Sequence, residues 1–537
     1  MDRISNLPDF IAHHIMSYLS AKEVARTSIL SKRWKYLQTS FPVLDFCESY
    51  EHFVGEELAF REPGGFDTIE MAMFCLGIIE FIDYVDASLL RFCELKFSML
   101  RCRLWMVLLN DNQMNPVLDK WIEQIIKSEV KDIDFHFQSD ENVKYTLPQI
   151  LFNAKSVITL NLGGCNLEQA PDSMRLHSLK IVTLTQVCIS AEMLQKLTSQ
   201  CTCPLLEELY LSDCQGFKHI CVVKACKLKI ISICGSPDEL ERVEISVLSL
   251  QQFVLSSEPV RGSIVIEMAG CPNLKVLQFS GFAFKDREFR RLISKFPLLE
   301  NLNINACDLL EQITISSNLL RDLHISHCFN LKEIDVDTPN LQSFSYVNHP
   351  ILISSINAPC PWKVSFMNEV RQGNAVAPDT QWYLNVRKFL GVSNEIEELA
   401  FCITSDMNSF SFDEFRKSSH SLPCEATNLY LQSHETIPPS TYAALLDGVL
   451  GICYPKHISL PRSHETDDFI KWLYEQMTNR DTNCCNSHDI KCWRHYLKDY
   501  GSMCSIPNKD EKPLEDDTSG TFCLHLDWCF PPSFDKA

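Results

Sequence analysis

The 537-residue chain contains no Asn-x-Ser/Thr acceptor, no apolar leader at its start and no apolar run long enough to span a membrane. Met1-Asp2-Arg3 opens directly into an amphipathic pattern, and the best apolar stretch, Met71 to Val85, is broken by Glu80 and Asp83. Positive charge is also scarce. Lys and Arg number 49 against 69 Asp and Glu, for a net charge of −20. That excludes a broad nucleic-acid surface, which needs clustered cations. The cluster Lys32-Arg33-Trp34-Lys35 is too short to change this and reads as a solvated helix face. Signatures of catalysis are missing too: there is no Gly-x-Ser-x-Gly elbow, no phosphate-cradling loop ending in Lys-Ser/Thr and no His-Glu-x-x-His. The expectations are no catalytic residue, no cofactor, no membrane and no nucleic acid. Cysteine, at 25, is abundant, but the number is odd and the chain long, so a reducing compartment fits better than a secreted disulfide scaffold. The expected location is the cytoplasm, the nucleus or both.

The informative stretch is the first 46 residues. Asn6 can cap a helix with Pro8 in its first turn and Asp9 facing the positive end of the helix dipole. Leu7, Phe10, Ile11, Ile15, Tyr18 and Leu19 recur at helical spacing as one apolar face. Ser20-Ala21-Lys22-Glu23 has the form of a capping box and predicts a second helix. Ser31 can cap a third helix carrying Trp34 and Leu37, and Pro42 ends the unit. About 40 residues bury too little apolar surface to be stable without help. Such a unit leans on the rest of its chain or on a partner.

Asp2-Arg3-Ile4-Ser5-Asn6-Leu7-Pro8-Asp9, then Ile15 to Leu19, then Thr27-Ser28-Ile29-Leu30-Ser31-Lys32-Arg33-Trp34 follow one another in order. At these residues the chain resembles the F-box of plant F-box/leucine-rich-repeat proteins. The resemblance implies docking onto the Skp-type adaptor of a cullin-RING ubiquitin ligase. Leu7 and Pro8 match the adaptor-facing Leu-Pro pair, and Trp34 matches the Trp after the basic pair. The expected adaptor-binding set is Leu7, Pro8, Ile11, Ile15, Leu19, Leu30 and Trp34. The alternative is an ordinary three-helix subdomain that only packs on its neighbour.

A repeat follows. An apolar residue, two spacers, an apolar residue, one spacer and an apolar residue occur at Val130/Ile133/Phe135, Val157/Leu160/Leu162, Leu179/Val182/Leu184, Leu206/Leu209/Leu211 and Leu228/Ile231/Ile233. The pattern continues at Leu250/Phe253/Leu255, Leu274/Leu277/Phe279, Leu299/Leu302/Ile304, Leu320/Leu323/Ile325 and Leu341/Phe344/Tyr346. Successive triplets begin 21 to 27 residues apart, the period of leucine-rich repeats. Each triplet predicts a short strand feeding a shared core. Cys165, Cys214, Cys307 and Cys328 each stand three residues after a third apolar position, where a small side chain can bond the loop backbone, so they are expected to be structural.

The expected organisation is α/β: a three-helix F-box over 1–46, a transition or cap over 47–129, a leucine-rich-repeat solenoid (a horseshoe) over 130–350, irregular repeats and a mixed helical C-terminal cap over 351–508, and an acidic, mobile tail over 509–537. Within the transition, Met71 to Phe81 and Asp119 to Ile126 read as helices, and Ser88 to Phe97 and Leu104 to Leu109 as strand-like or buried runs. Residues 41–60 hold one Gly and one Pro and no Ser/Gly-rich run, which predicts a fixed rather than a tethered relation between the helices and the repeats. Further on, Trp382 to Leu390, Thr441 to Ile452, Asp467 to Met477 and Ile490 to Tyr500 read as helices, with strands at Ile396/Leu399/Phe401, Leu429/Leu431 and Ile458/Leu460.

One cluster invites a metal reading. Cys485, His488, Cys492 and His495 would make a tetrahedral zinc set if a helix brought them to one side, although the spacing matches no common zinc module. Packing of a terminal helix is the alternative. Three functions stand open. The favoured one is the substrate receptor of a Skp–cullin–F-box ubiquitin ligase, in which the repeats hold an unidentified target protein and the mechanism is proximity. The second is a repeat scaffold or sequestering protein without a ligase role, and the third a metal-dependent enzyme centred on Cys485 to His495.

Overall fold

Strict alternation of apolar and polar residues over five positions makes a strand with one dry side, and the chain repeats this many times. In the computed structural model all ten expected triplets lie at 3% exposure or less, so the register read from the sequence is the register of the core. The structure describes residues 7–19, 21–47, 68–94, 98–108, 114–138, 144–171, 173–223, 225–235, 240–257, 264–347, 352–357, 362–367, 379–390, 396–403, 410–418, 423–433, 438–463, 466–479, 492–502 and 521–529. It divides into two units, Met1–Glu258 with Ile264–Asn273, and Leu274–Ala537 with Pro259–Ser263. Among the described residues no helix is long and apolar enough to cross a membrane.

The first unit begins with helices α1 (Asp9–Met16), α2 (Ala21–Thr27) and α3 (Lys32–Thr39), then strand β1 (Val43–Asp45). After helix α4 (Thr68–Glu94) comes strand β2 (Arg101–Val107). β1 and β2 pair in parallel, and the sheet runs on in parallel through Asp132–Gln138, Thr159–Gly163, Ile181–Thr185, Glu208–Ser212, Ile230–Cys234 and Gln252–Ser256. The expected start of the repeats at residue 130 therefore falls inside the sheet. Met99, Cys102 and Leu104 already hold the three buried positions, and Cys in the middle place hid that triplet.

α4 corrects a second expectation. Ser88 to Glu94 is helical, not strand-like, because Ser88, Leu89 and Phe92 extend the helical spacing of the buried Phe74, Ile78, Phe81 and Val85. Helix Asn115–Lys127 buries Leu118, Trp121, Ile122 and Ile125, while Ile126 is half-buried. Leu109, the last residue of the expected run from Leu104, lies outside the described residues.

In the second unit the parallel strands Val276–Ser280, Asn301–Asn305, Asp322–Ser326, Ser343–Val347, Trp362–Met367, Ile396–Ile403, Cys424–Ser433 and Cys453–Pro461 pair in that order. Helices Thr380–Leu390 and Tyr442–Ile452 widen the later coils, and Phe344, Phe366, Trp382, Phe389 and Phe401 fill the wider core. The end differs from expectation. Ile490 to Tyr500 is not one helix: the described part holds the short helix Trp493–Tyr496 and the strand Leu497–Ser502. Within the tail expected to be mobile, one segment is regular. Thr521–Trp528 is a strand, antiparallel to Cys453–Pro461 and to Leu497–Ser502. Its alternation buries Phe522, Leu524, Leu526 and Trp528, a period of two that the acidic stretch before it masked.

The coils hold a second regularity. Phe217/Ile220/Val222 and Leu240/Val243/Ile245 in the first unit, and Leu310/Ile313/Ile315 and Leu331/Ile334/Val336 in the second, repeat the same spacing between the expected triplets and are buried. They form a second parallel sheet in each unit, through His219–Val223, Arg242–Ser246 and Val265–Met268, and through Gln312–Ser316, Glu333–Asp337 and Leu352–Asn357. These coils return through strands instead of helices, and each unit is a β-solenoid with occasional helices.

The corner after seven of the strands follows one rule. Gly164, Gln186, Asp213, Gly235, Gly281, Ala306 and His327 each directly follow a strand and take the left-handed conformation. That turn aims the backbone N–H at the next coil: Gln186 N donates to Ser212 O at 2.8 Å and Ala306 N to Ser326 O at 2.9 Å. The next residue is where the cysteines stand. Cys214 Sγ donates to Leu184 O at 3.4 Å, and Cys307 and Cys328 to Asn305 O and Ser326 O at 3.4 Å each. All four expected structural cysteines are buried free thiols.

Candidate protein-docking surface

The three helices enclose a small core of Ala12, Met16, Val24, Trp34, Leu37 and Phe41, edged by Leu19 and Val43. Burying side chains the size of Met16, Val24, Leu37 and Phe41 contributes about 1.5–3 kcal/mol each. Ser31 caps α3, its hydroxyl accepting from Trp34 N at 3.2 Å, as expected. The cap of α1 is Pro8, whose carbonyl accepts from Ile11 N at 3.0 Å and Ala12 N at 3.1 Å; Asn6 and Ser20 lie outside the described residues. Arg33 binds the entry to α1, donating to the Leu7 carbonyl and, at 2.9 Å, to Asp9 Oδ1. His13 Nε2 donates to Leu37 O at 3.2 Å, tying α1 to α3.

This core takes only one side of α1. Ala12 and Met16 point inward, while Phe10 (71% exposed), Ile15 (40%) and Tyr18 (77%) point out. α1 has apolar residues on two sides, and the larger set is left to solvent. Ile29 (83%) and Leu30 (66%), in the turn between α2 and α3, and Tyr36 on α3 are exposed as well. So many large apolar side chains on so small a unit exceed the scatter of a monomer surface. Of the expected set, Pro8, Ile15 and Leu30 are exposed and Leu7, Ile11 and Leu19 half-buried. Trp34 is the exception: it is a core residue of the free unit, its ring under the helices and not on the open surface. Phe10, Tyr18, Ile29 and Tyr36 were missing from the expected set. The signal for Phe10 and Tyr18 was the apolar stripe of α1, that for Ile29 was its place beside Leu30 in the segment Thr27 to Trp34, and Tyr36 lay outside both.

The unit is fixed to the strands behind it. β1 continues from α3 and joins β2, with Leu100 N donating to Pro42 O at 2.7 Å and Phe46 N to Arg103 O at 3.0 Å. Arg103 bridges Asp45 at 2.9 Å and Asp134 at 3.1 Å. A cavity of about 540 Å³ lies between the helices and these strands, lined by Tyr18, Leu19, Phe41, Phe46, Tyr84 and Arg103 among others, and its Arg103 is committed to the two carboxylates.

For the metal reading, Cys485 and His488 lie outside the described residues. Cys492 is buried and precedes the short helix Trp493–Tyr496 that carries His495, so the two do not share a helix face. Among the described residues no group of three His, Cys, Asp or Glu side chains is placed to hold a metal ion.

Comparison with known proteins fits these observations. The F-box domain family matches residues 4–46. The leucine-rich repeats of FBD-associated F-box protein At5g56370 match residues 118–279, and the leucine-rich-repeat domain of At1g61320/AtMIF1 matches 245–406. The chain is a plant F-box/leucine-rich-repeat protein. Its relatives include the Arabidopsis thaliana Putative F-box/LRR-repeat protein At3g58880, 32% identical over 43% of this chain and 47% of the relative. Another, F-box protein At3g59000 of the same plant, is 27% identical over 56% of this chain and 57% of the relative. The chain spans about half the length of the curated relatives it matches. In this F-box/leucine-rich-repeat protein the F-box is therefore the three-helix unit, and the first repeat-like strand, β2, lies between the matched F-box and the matched repeats.

Proposed function

We propose that this F-box/leucine-rich-repeat protein is the substrate-recognition subunit of a cullin-RING ubiquitin ligase of the Skp–cullin–F-box type. The F-box binds a Skp-type adaptor, and the repeats bind a target protein. The observation that carries the reading is the set of large apolar side chains, Phe10, Tyr18, Ile29 and Leu30, left outside an F-box core that is already complete. Apolar area of that kind is stabilised by a partner, and the F-box resemblance names the partner's class. Pro8, Ile15, Leu30 and the half-buried Leu7, Ile11 and Leu19 belong to the same contact; Trp34 supports it from beneath.

The role needs no catalytic residue in this chain. Holding a target lysine near a ubiquitin-loaded enzyme raises its effective concentration, and a fixed arm aims it better than a tether. The pairing of β1 with β2 supplies such an arm from the F-box to the first strands. Replacing Leu7 and Pro8 together tests the reading. The double variant is expected to lose co-purification with a Skp-type adaptor while the repeats stay folded. Unchanged co-purification would leave the chain a repeat scaffold without a ligase role.

A further inference from the structure

Away from the F-box, the last coils of the second unit set two histidines against each other. His457 on Cys453–Pro461 lies directly opposite His525 on Thr521–Trp528 in the antiparallel register. Alternation buries Ile458, Leu460, Leu524 and Leu526 and turns the histidines outward, His525 exposed and His457 half-buried. His525 Nδ1 lies 3.3 Å from His457 Nε2, with ring centroids 5.0 Å apart and planes inclined by 47°. On its other side His457 Nδ1 lies 3.3 Å from the Thr427 carbonyl oxygen. A carbonyl only accepts, so Nδ1 carries the proton and Nε2 presents its lone pair toward His525. Metal-ligating histidines are held in this way, the second ring N–H given to a backbone carbonyl.

We propose that His457 Nε2 and His525 Nδ1 together bind a divalent ion of the zinc class, with water completing the coordination shell. Two imidazole nitrogens at ~2.0–2.1 Å from a tetrahedral zinc ion stand about 3.3 Å from each other. The observed separation is 3.3 Å. The rings are inclined and not end to end, so the two lone pairs can converge on a point beside the line joining them. In the metal-free pair His525 Nδ1–H donates to His457 Nε2. Metal entry requires His525 to carry its proton on Nε2 instead, and the exposed ring exchanges that proton with water. Cys523 shares the outward side but faces Ser459, whose hydroxyl donates to Sγ at 3.8 Å. Among the described residues no third His, Cys, Asp or Glu joins the pair as a metal-holding group, so the site has two protein ligands and exchanges its ion. The net charge of −20 favours cations near the surface.

The test uses the full chain with zinc chloride alone and reads histidine modification by diethyl pyrocarbonate, peptide by peptide. Zinc is expected to slow modification of His457 and His525 together, by roughly 10-fold or more, and to leave the exposed His177 unchanged. In His457→Gln the protection of His525 is lost, and in His525→Gln that of His457. An unchanged thermal transition without zinc shows that a variant is folded; should His457→Gln fail that check, the exposed-side His525→Gln decides alone. Absent protection, or protection that survives loss of the partner histidine and so marks an adventitious ion only, overturns the proposal.

Discussion

Arg103 Nη1 donates to Asp45 Oδ2 at 2.9 Å, joining residues 58 positions apart. With its Nε on Asp134 at 3.1 Å, this guanidinium ties the strand that leaves the F-box to the second and third strands of the sheet.

The first prediction concerns that junction. The ion pairs are partly exposed and screened, so Arg103→Ala is expected to cost about 1 kcal/mol or less in global stability. Its local effect is larger: the Phe46 amide, bonded to Arg103 O, should exchange slowly in the native protein and faster in the variant. Burial opposes the Asp134 carboxylate, but hydrogen bonds from His136 and Arg103 outweigh it and hold its pKa below the ordinary 3.8. A depressed carboxylate stabilises the fold above its ordinary pKa, and the contribution fades as pH falls through the lower native value. Junction protection should therefore persist at pH 5 and weaken below about pH 4. Phe46 exchanging at the rate of a free peptide in the native protein would contradict a fixed arm.

The second concerns the corner cysteines. Burial pushes the Cys165 thiol up to about 12 and Cys214 to about 11, so neither forms the reactive thiolate near neutral pH. Cys165, Cys214, Cys307 and Cys328 should resist alkylation until the protein is denatured, while the exposed Cys201, Cys226 and Cys529 react at once. Rapid native labelling of the four would mean that the repeat register is wrong.

The third uses the left-handed corners. Ala306 sits at φ 49°, where glycine is free of the Cβ penalty, so Ala306→Gly is expected to be neutral or to stabilise by up to ~1 kcal/mol. Gly164→Ala runs the other way. At φ 64° its new Cβ would stand 1.8 Å from the Phe137 carbonyl oxygen, and the coil would have to shift. A loss of several kcal/mol, on the order of the largest single-site effects, is expected in denaturant melts. A tolerant Gly164→Ala would contradict this corner geometry.

Most of the fold was legible because a solenoid writes its core into one period: the ten triplets from Val130 to Tyr346 are all buried. What stayed hidden has physical causes. Cys102 in a branched residue's place concealed the strand before Val130, and a single 27-residue helix looked like a helix plus a strand because short apolar runs are ambiguous in period. The docking surface was half legible. Leu7 to Leu19 announced an apolar stripe, but periodicity alone does not say whether a stripe faces a core or a partner. Only the burial of Ala12, Met16 and Trp34 shows that Phe10 and Tyr18 were left outside.

The central claim is that the exposed apolar side of the F-box is a binding surface and the buried side is its support. The most direct measurement is calorimetric binding of a purified Skp-type adaptor to the full chain, alongside thermal unfolding, for surface and core variants. Phe10→Asp with Leu30→Asp is expected to weaken binding at least ~10-fold, a loss of about 1.4 kcal/mol or more, with unfolding unchanged. Trp34→Ala, at a core position, is expected to destabilise the F-box by about 3–5 kcal/mol. Full adaptor affinity in the folded Phe10→Asp, Leu30→Asp variant would contradict the account.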